Sequence, residues 1–182
     1  MSPTLAELKR LVEDAELSPP ERSVAAWTAA AQLGSESDLA QSADGAYLAG
    51  YAYYQLGAVS ADYLERSAKL LRCALLTDPF NIYARLYLGH LAYDKGNFSE
   101  ALGHFDELAP DAFAQRAQAW RDLKRQELRI CCLLQLGQVA TLVHEFEQLL
   151  QLASGMDDTD TLAVQELPTL LQSAFGSRSH AA

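Results

Sequence analysis

Four histidines, at positions 90, 104, 144 and 180, and three cysteines, at 73, 131 and 132, are the residues best suited to acid–base, nucleophilic or metal chemistry in this chain. Their spacing limits what they could do together. His90 and Asp94, four residues apart, share one face of a helix, whereas His104 and Asp106, two apart, diverge. Two ligands do not close a zinc site, so His90 and Asp94 read as polar surface rather than as a metal centre. The chain has no His-Glu-x-x-His motif, no Gly-rich phosphate loop and no nucleophile elbow. Cys131 and Cys132 point in different directions on a helix, and all three cysteines lie among leucines and alanines. They read as small apolar packing residues, not as a disulfide framework. No catalytic residue, cofactor or metal is expected, and an enzyme would need a site assembled from distant positions.

Composition narrows the partners. With 49% hydrophobic and 21% charged residues the chain has enough apolar material for one globular domain. The net charge of -10 opposes nonspecific attraction to a phosphate backbone, so no nucleic acid is expected as partner. The densest basic stretch, 121–129 (RDLKRQELR), has acids mixed into it and reads as a solvated helix face. No segment reaches 18 uninterrupted apolar residues, which argues against membrane insertion. The first residues lack the basic region and apolar run of a secretory signal, so the expected location is cytoplasmic.

Alanine, leucine and glutamine dominate, and local signals divide the chain into helices. Thr4 followed by Glu7 makes a capping box that opens a helix through about residue 13. Ser18-Pro19-Pro20-Glu21 then resets the chain, because proline suits a first turn and not a helix interior. A second helix runs through Gln32, stops at Leu33-Gly34 and buries Trp27. After a polar connection, helices are expected over 44–56, 60–77, 82–95, 99–108, 111–136 and 139–152. Residues 154–160 form a polar break, and 162–174 add a last helix. The layout is a single all-α domain, with capping helices over 1–43, about three hairpins over 44–152, and a cap and tail over 153–182.

Within 82–108, Leu88-Gly89, Tyr93, Gly96, Phe98, Ala101 and Phe105 stand in an order that resembles the tetratricopeptide repeat. Gly89 permits close helix approach, Gly96-Asn97 supplies a tight turn, and Phe98 packs over that turn. Ala101 keeps the second helix close to the first, and Phe105 fills the space toward the next unit. The flanks match less well. Gly50, Tyr54 and Gly57 parallel Gly89, Tyr93 and Gly96, and Ala68 parallels Ala101 across an insertion of about five residues. Downstream, Ile130, Leu134, Gly137, Val139, Leu142 and Phe146 occupy the corresponding places. The separations of 39 and 41 residues between Gly57, Gly96 and Gly137 exceed the usual repeat of about 34.

The resemblance implies antiparallel hairpins stacked as a short α-α superhelix whose first helices line a concave, partner-binding surface. Carried onto this chain, the groove would use Tyr47, Tyr51 and Tyr54, then Tyr83, Tyr87, His90, Tyr93 and Asp94, then Glu127 and Gln135. Tyrosine supplies large contact area with a polar hydroxyl, which suits such a surface. The family's carboxylate clamp uses lysine, asparagine and arginine where this chain has tyrosine, histidine, aspartate and glutamine, which argues against capture of a chaperone tail. The function implied is a non-enzymatic adaptor, assembly factor or chaperone-like protein that holds a protein or peptide segment, basic or neutral in character. A structural or homo-oligomerising subunit of a larger complex is the alternative.

Overall fold

In a computed structural model the chain is all-α, and the structure describes residues 3–35, 38–116, 118–156, 164, 166 and 167. Among them are α1 (Leu5–Glu16), α2 (Pro20–Ser35), α3 (Ala43–Gln55), α4 (Ala61–Thr77), α5 (Ile82–Asp94), α6 (Phe98–Asp106), α7 (Ala119–Gln135) and α8 (Leu142–Ser154). Short 3-10 turns stand at Asp38–Gln41 and Ala114–Arg116. The chain forms two compact units, 1–91 and 92–182. None of the described helices is long and apolar enough to cross a membrane.

In the first unit the helix starts follow from their capping side chains. Thr4 Oγ1 accepts the Glu7 N–H at 3.2 Å, Ser42 Oγ that of Gly45 at 3.1 Å and Ser60 Oγ that of Asp62 at 3.3 Å. The packing of α2, α3 and α4 then depends on small residues. A Cβ on Gly34 would lie 2.6 Å from the Cβ of Ala49, and one on Gly50 would lie 2.9 Å from Leu71 Cγ. α2 ends at Ser35, one residue past the expected stop at Leu33-Gly34, and Gly34 is small because α3 presses against it. The bare backbone at Gly50 also lets the Ser67 hydroxyl donate to its carbonyl at 2.8 Å, a buried bond that ties α4 to α3. Gly57 is not a left-handed turn residue like Gly96: a Cβ there would strike Leu64 Cδ2 at 2.2 Å.

The second unit opens on the Gly96 turn. Gly96 has φ +75°, its N–H bonds to the Tyr93 carbonyl at 2.8 Å, and the Asn97 N–H reaches back to Ala92 at 2.8 Å. That is a Schellman closure, which satisfies carbonyls a helix end leaves open. Gly137, with φ +69°, ends α7 in the same way through Gln138 N–H to Leu133 O at 2.9 Å. Phe98 lies edge-on to Tyr93 at 5.7 Å across the turn, and Ala101 and Phe105 are fully buried. Leu123, Ile130, Cys131, Leu149 and Leu167 form the core cluster of this unit, with Phe146 and Met156 packed against it.

The helix expected over 111–136 begins only at Ala119. Residues before it make a turn because the Asp122 carboxylate takes the N–H groups of Phe113 at 3.0 Å and Ala114 at 2.8 Å. A side chain one turn into α7 thus captures donors that a continuous helix would have used internally. Most of the helix expected over 162–174 lies outside the described residues. Leu167, which is described, is buried, and its N–H donates to Glu127 Oε1 at 2.8 Å.

Gly96 and Gly103 provide a controlled pair, since a Cβ at either meets nothing within 4 Å. Gly96→Ala forces a side chain into the left-handed region and is expected to destabilise by about 1–2 kcal/mol. Gly103→Ala, inside α6, is expected to stabilise by about 1 kcal/mol through helix propensity. Urea midpoints at constant m-value measure both, and equal shifts would contradict the backbone account.

Candidate functional site

On the first unit, Tyr47, Tyr51 and Tyr54 recur along one face of α3, and Tyr83, Tyr87 and His90 along one face of α5. The rings meet in sequence: Tyr47 stacks on Tyr83 at 5.3 Å, Tyr51 meets Tyr87 at 4.7 Å, and Tyr54 meets Tyr87 at 5.2 Å and His90 at 6.0 Å. These separations are those of favourable aromatic pairs. Tyr51 and Tyr87 are buried, Tyr51 edge-on to Trp27 and donating its hydroxyl to Glu16 Oε1 at 2.9 Å. They form the base on which the half-buried rings of Tyr47, Tyr54, Tyr83 and His90 rest. His90 Nδ1 lies 3.5 Å from the Tyr54 hydroxyl.

The remaining candidates belong to the second unit. Asp94 and Gln135 are exposed, and Tyr93 is half-buried near the Cys131 thiol. Burial, reinforced by that thiol, pushes the Tyr93 hydroxyl pKa up. Glu127 is in the interior and not on a surface: its carboxylate takes Lys124 Nζ at 2.8 Å and the Leu167 N–H.

Glu127 is one member of a larger departure from expectation. The charged run 121–129 is not a solvated face, because Arg121, Asp122, Arg125, Gln126 and Glu127 are all buried. Arg121 donates to Gln118 at 3.0 Å and lies over the Trp120 ring, and the other four find partners farther along the chain. Arg125 donates to the carbonyls of Phe105 and Leu108 at 3.4 Å and of Pro110 at 2.9 Å. Gln126 donates to the Glu145 backbone at 3.0 Å and side chain at 2.7 Å, and Arg129 bridges Asp106, at 2.7 Å, and Glu145. Desolvation raises the Asp122 carboxyl pKa against the pull of its two backbone donors, and desolvation lowers that of Arg125. The one clue in the sequence was the alternation of acids and bases at helical spacing, and it fits an exposed face equally well.

A cleft of about 450 Å³ opens above this network, lined by Pro110, Ala114, Ala119, Leu152 and Met156 with Arg125 and Gln126 beneath. Sequence reading gave no sign of it, since it joins the turn before α7 to the end of α8. On the first unit a smaller pocket of about 190 Å³ holds Tyr53, Tyr63 and Arg66 beside Ser35. No cluster of metal-ligating residues occurs among the described residues. His144 lies 2.8 Å from the Gln148 amide, and Asp106 is held by Arg129.

Cys131 and Cys132 are packed inside as their surroundings suggested, and Cys73 is only partly so. Burial pushes the Cys131 thiol up to about 11 and the Cys132 thiol up to about 12, while Cys73 is half-exposed. A thiolate-selective reagent at pH 8 is therefore expected to label Cys73 quickly in the native protein, and Cys131 and Cys132 only after unfolding. Rapid native labelling at either α7 position, read by peptide mass, would contradict this packing. Compared with protein-family models and with curated proteins, the chain matches none.

Proposed function

We propose that the chain is a tetratricopeptide-like, non-enzymatic binding protein of the cytoplasm, acting as an adaptor, assembly factor or chaperone. In this reading the tyrosine face of α3 and α5 holds a protein or peptide segment. The single observation that supports it most is the ring-to-ring contact of Tyr47, Tyr51, Tyr54, Tyr83, Tyr87 and His90. Core packing needs the apolar bodies of Tyr51 and Tyr87, but it does not need half-buried tyrosines above them.

Large rigid rings with two rotatable bonds lose little entropy when a partner settles on them, and tyrosine is enriched where interfaces concentrate their energy. A chain of net charge -10 favours a basic or neutral partner over an acidic one. The Gly96 closure and the buried Ala101 and Phe105 support the tetratricopeptide-like reading of the central hairpin.

The test replaces Tyr47 and Tyr83 with serine, leaving the buried Tyr51 and Tyr87 in place. The expected outcome is an unchanged helical spectrum with at least about a tenfold loss of affinity for the partner recovered by the wild type. Undiminished recovery would remove this face from consideration. Mass that rises with concentration, and falls in the double variant, would instead favour self-association through the same rings.

A further inference from the structure

The cleft on the second unit has the size and lining of a small-ligand site. Its volume of about 450 Å³ falls within the roughly 300–1,000 Å³ common for such sites. Its walls are largely apolar, from Pro110, Ala114, Ala119, Leu152 and Met156, and a single buried cation, Arg125, lines it from below. A second cleft of about 230 Å³ shares Pro110, Arg125, Gln126 and Gln148 with it, so Arg125 lies at the junction of both. Neither belongs to the tyrosine face.

Arg125 is incompletely met. It is only 3% exposed, and a guanidinium carries five N–H donors. Its described bonds go to neutral carbonyl oxygens, two of them long at 3.4 Å. Its buried Nε has no hydrogen-bond partner; it faces Asp122 Oδ1, likewise without one, as an ion pair at 3.9 Å, beyond hydrogen-bonding distance. Hydrogen bonds occupy the remaining carboxylate oxygens that could otherwise turn to Arg125. Asp106 and Glu145 hold Arg129, Asp122 takes two backbone N–H groups through its other oxygen, and Asp111, at the exposed rim, takes the Gln115 amide at 3.3 Å. A buried donor left without an acceptor is costly, and an ionised acceptor answers it better than a neutral one.

We propose that this cleft binds a carboxylate carried on an apolar body, with the carboxylate directed to Arg125 and the apolar part lying against Ala114, Leu152 and Met156. A free alkyl carboxylate and a chain terminus ending in an apolar residue present the same chemistry.

The experiment titrates the full chain by two-dimensional NMR with four probes. They are octanoate and its neutral twin octanamide, and acetyl-Ala-Ala-Leu with a free or an amidated terminus. The expected result is that at least one carboxylate binds with Kd below about 1 mM. Shifts should centre on the amides of Ala114, Arg125 and Met156, and the matching amide should bind about tenfold or more weakly. Octanoate alone would identify a free small molecule, and the peptide alone a chain terminus. Arg125→Lys, which keeps the charge and loses the fork, should weaken binding about tenfold. Ala114→Phe fills the exposed lip without touching the polar network and should abolish binding, so it decides the matter even if the lysine variant does not fold. The proposal fails if neither carboxylate binds in that range, if the amides bind equally well, or if Ala114→Phe binds as the wild type does.

Discussion

A carboxylate or guanidinium withdrawn from water must be met by hydrogen-bond partners, and on α7 that requirement organises the second unit. Asp122 turns the chain at Phe113 and Ala114, Arg125 gathers the carbonyls of Phe105, Leu108 and Pro110, and Gln126 with Arg129 ties α8 in through Glu145. Removing one member of such a set leaves the others buried and unmet, at a cost of about 3–5 kcal/mol for a charged pair. The segment between α6 and α7, which has little regular structure of its own, is therefore held by side chains of the helix that follows it. The apolar cluster around Ile130 and Leu149 contributes burial, but the polar contacts select one arrangement of the loop over others of similar apolar area.

The first unit solves the packing problem differently. Its helices carry few buried polar side chains and come together through alanine and glycine: Ala30, Ala31, Ala46, Ala49, Ala52 and Ala74 are wholly buried. Close approach of α3 to α2 and α4 uses the small positions of α3, while Tyr47 and Tyr54 meet the rings of α5 and Tyr53 packs against Tyr63 of α4. The same helix thus serves as a spacerless core element on one side and as an aromatic platform on the other. Ser67, donating into the gap left by Gly50, shows how tight that approach is.

The two units consequently offer different chemistry. One presents stacked phenol rings suited to broad contact with a polypeptide, and the other an apolar cleft above a buried cation suited to a single charged group. His90 lies against the rings of Tyr54 and Tyr87, and burial raises the pKa of the α7 thiols.

How much of this was legible in the sequence follows from the range of each interaction. Thr4, Asp78-Pro79, Gly96 and Gly137 act on backbone groups within a few residues, so most helices and their ends could be placed from local chemistry. The aromatic periodicity of α3 and α5 was likewise visible, because residues three and four apart share a helix face. The role of 121–129 was not, since charges alternating along a helix look the same whether water or distant protein groups answer them. Tertiary structure alone decided that Asp122 would break the helix before Ala119, that Gly34 at the end of α2 would be pressed by α3, and that Arg125 would lie beneath a cleft. In each case the deciding partner lies on another element, and only folding brings it within the few ångströms over which hydrogen bonds and steric contact act.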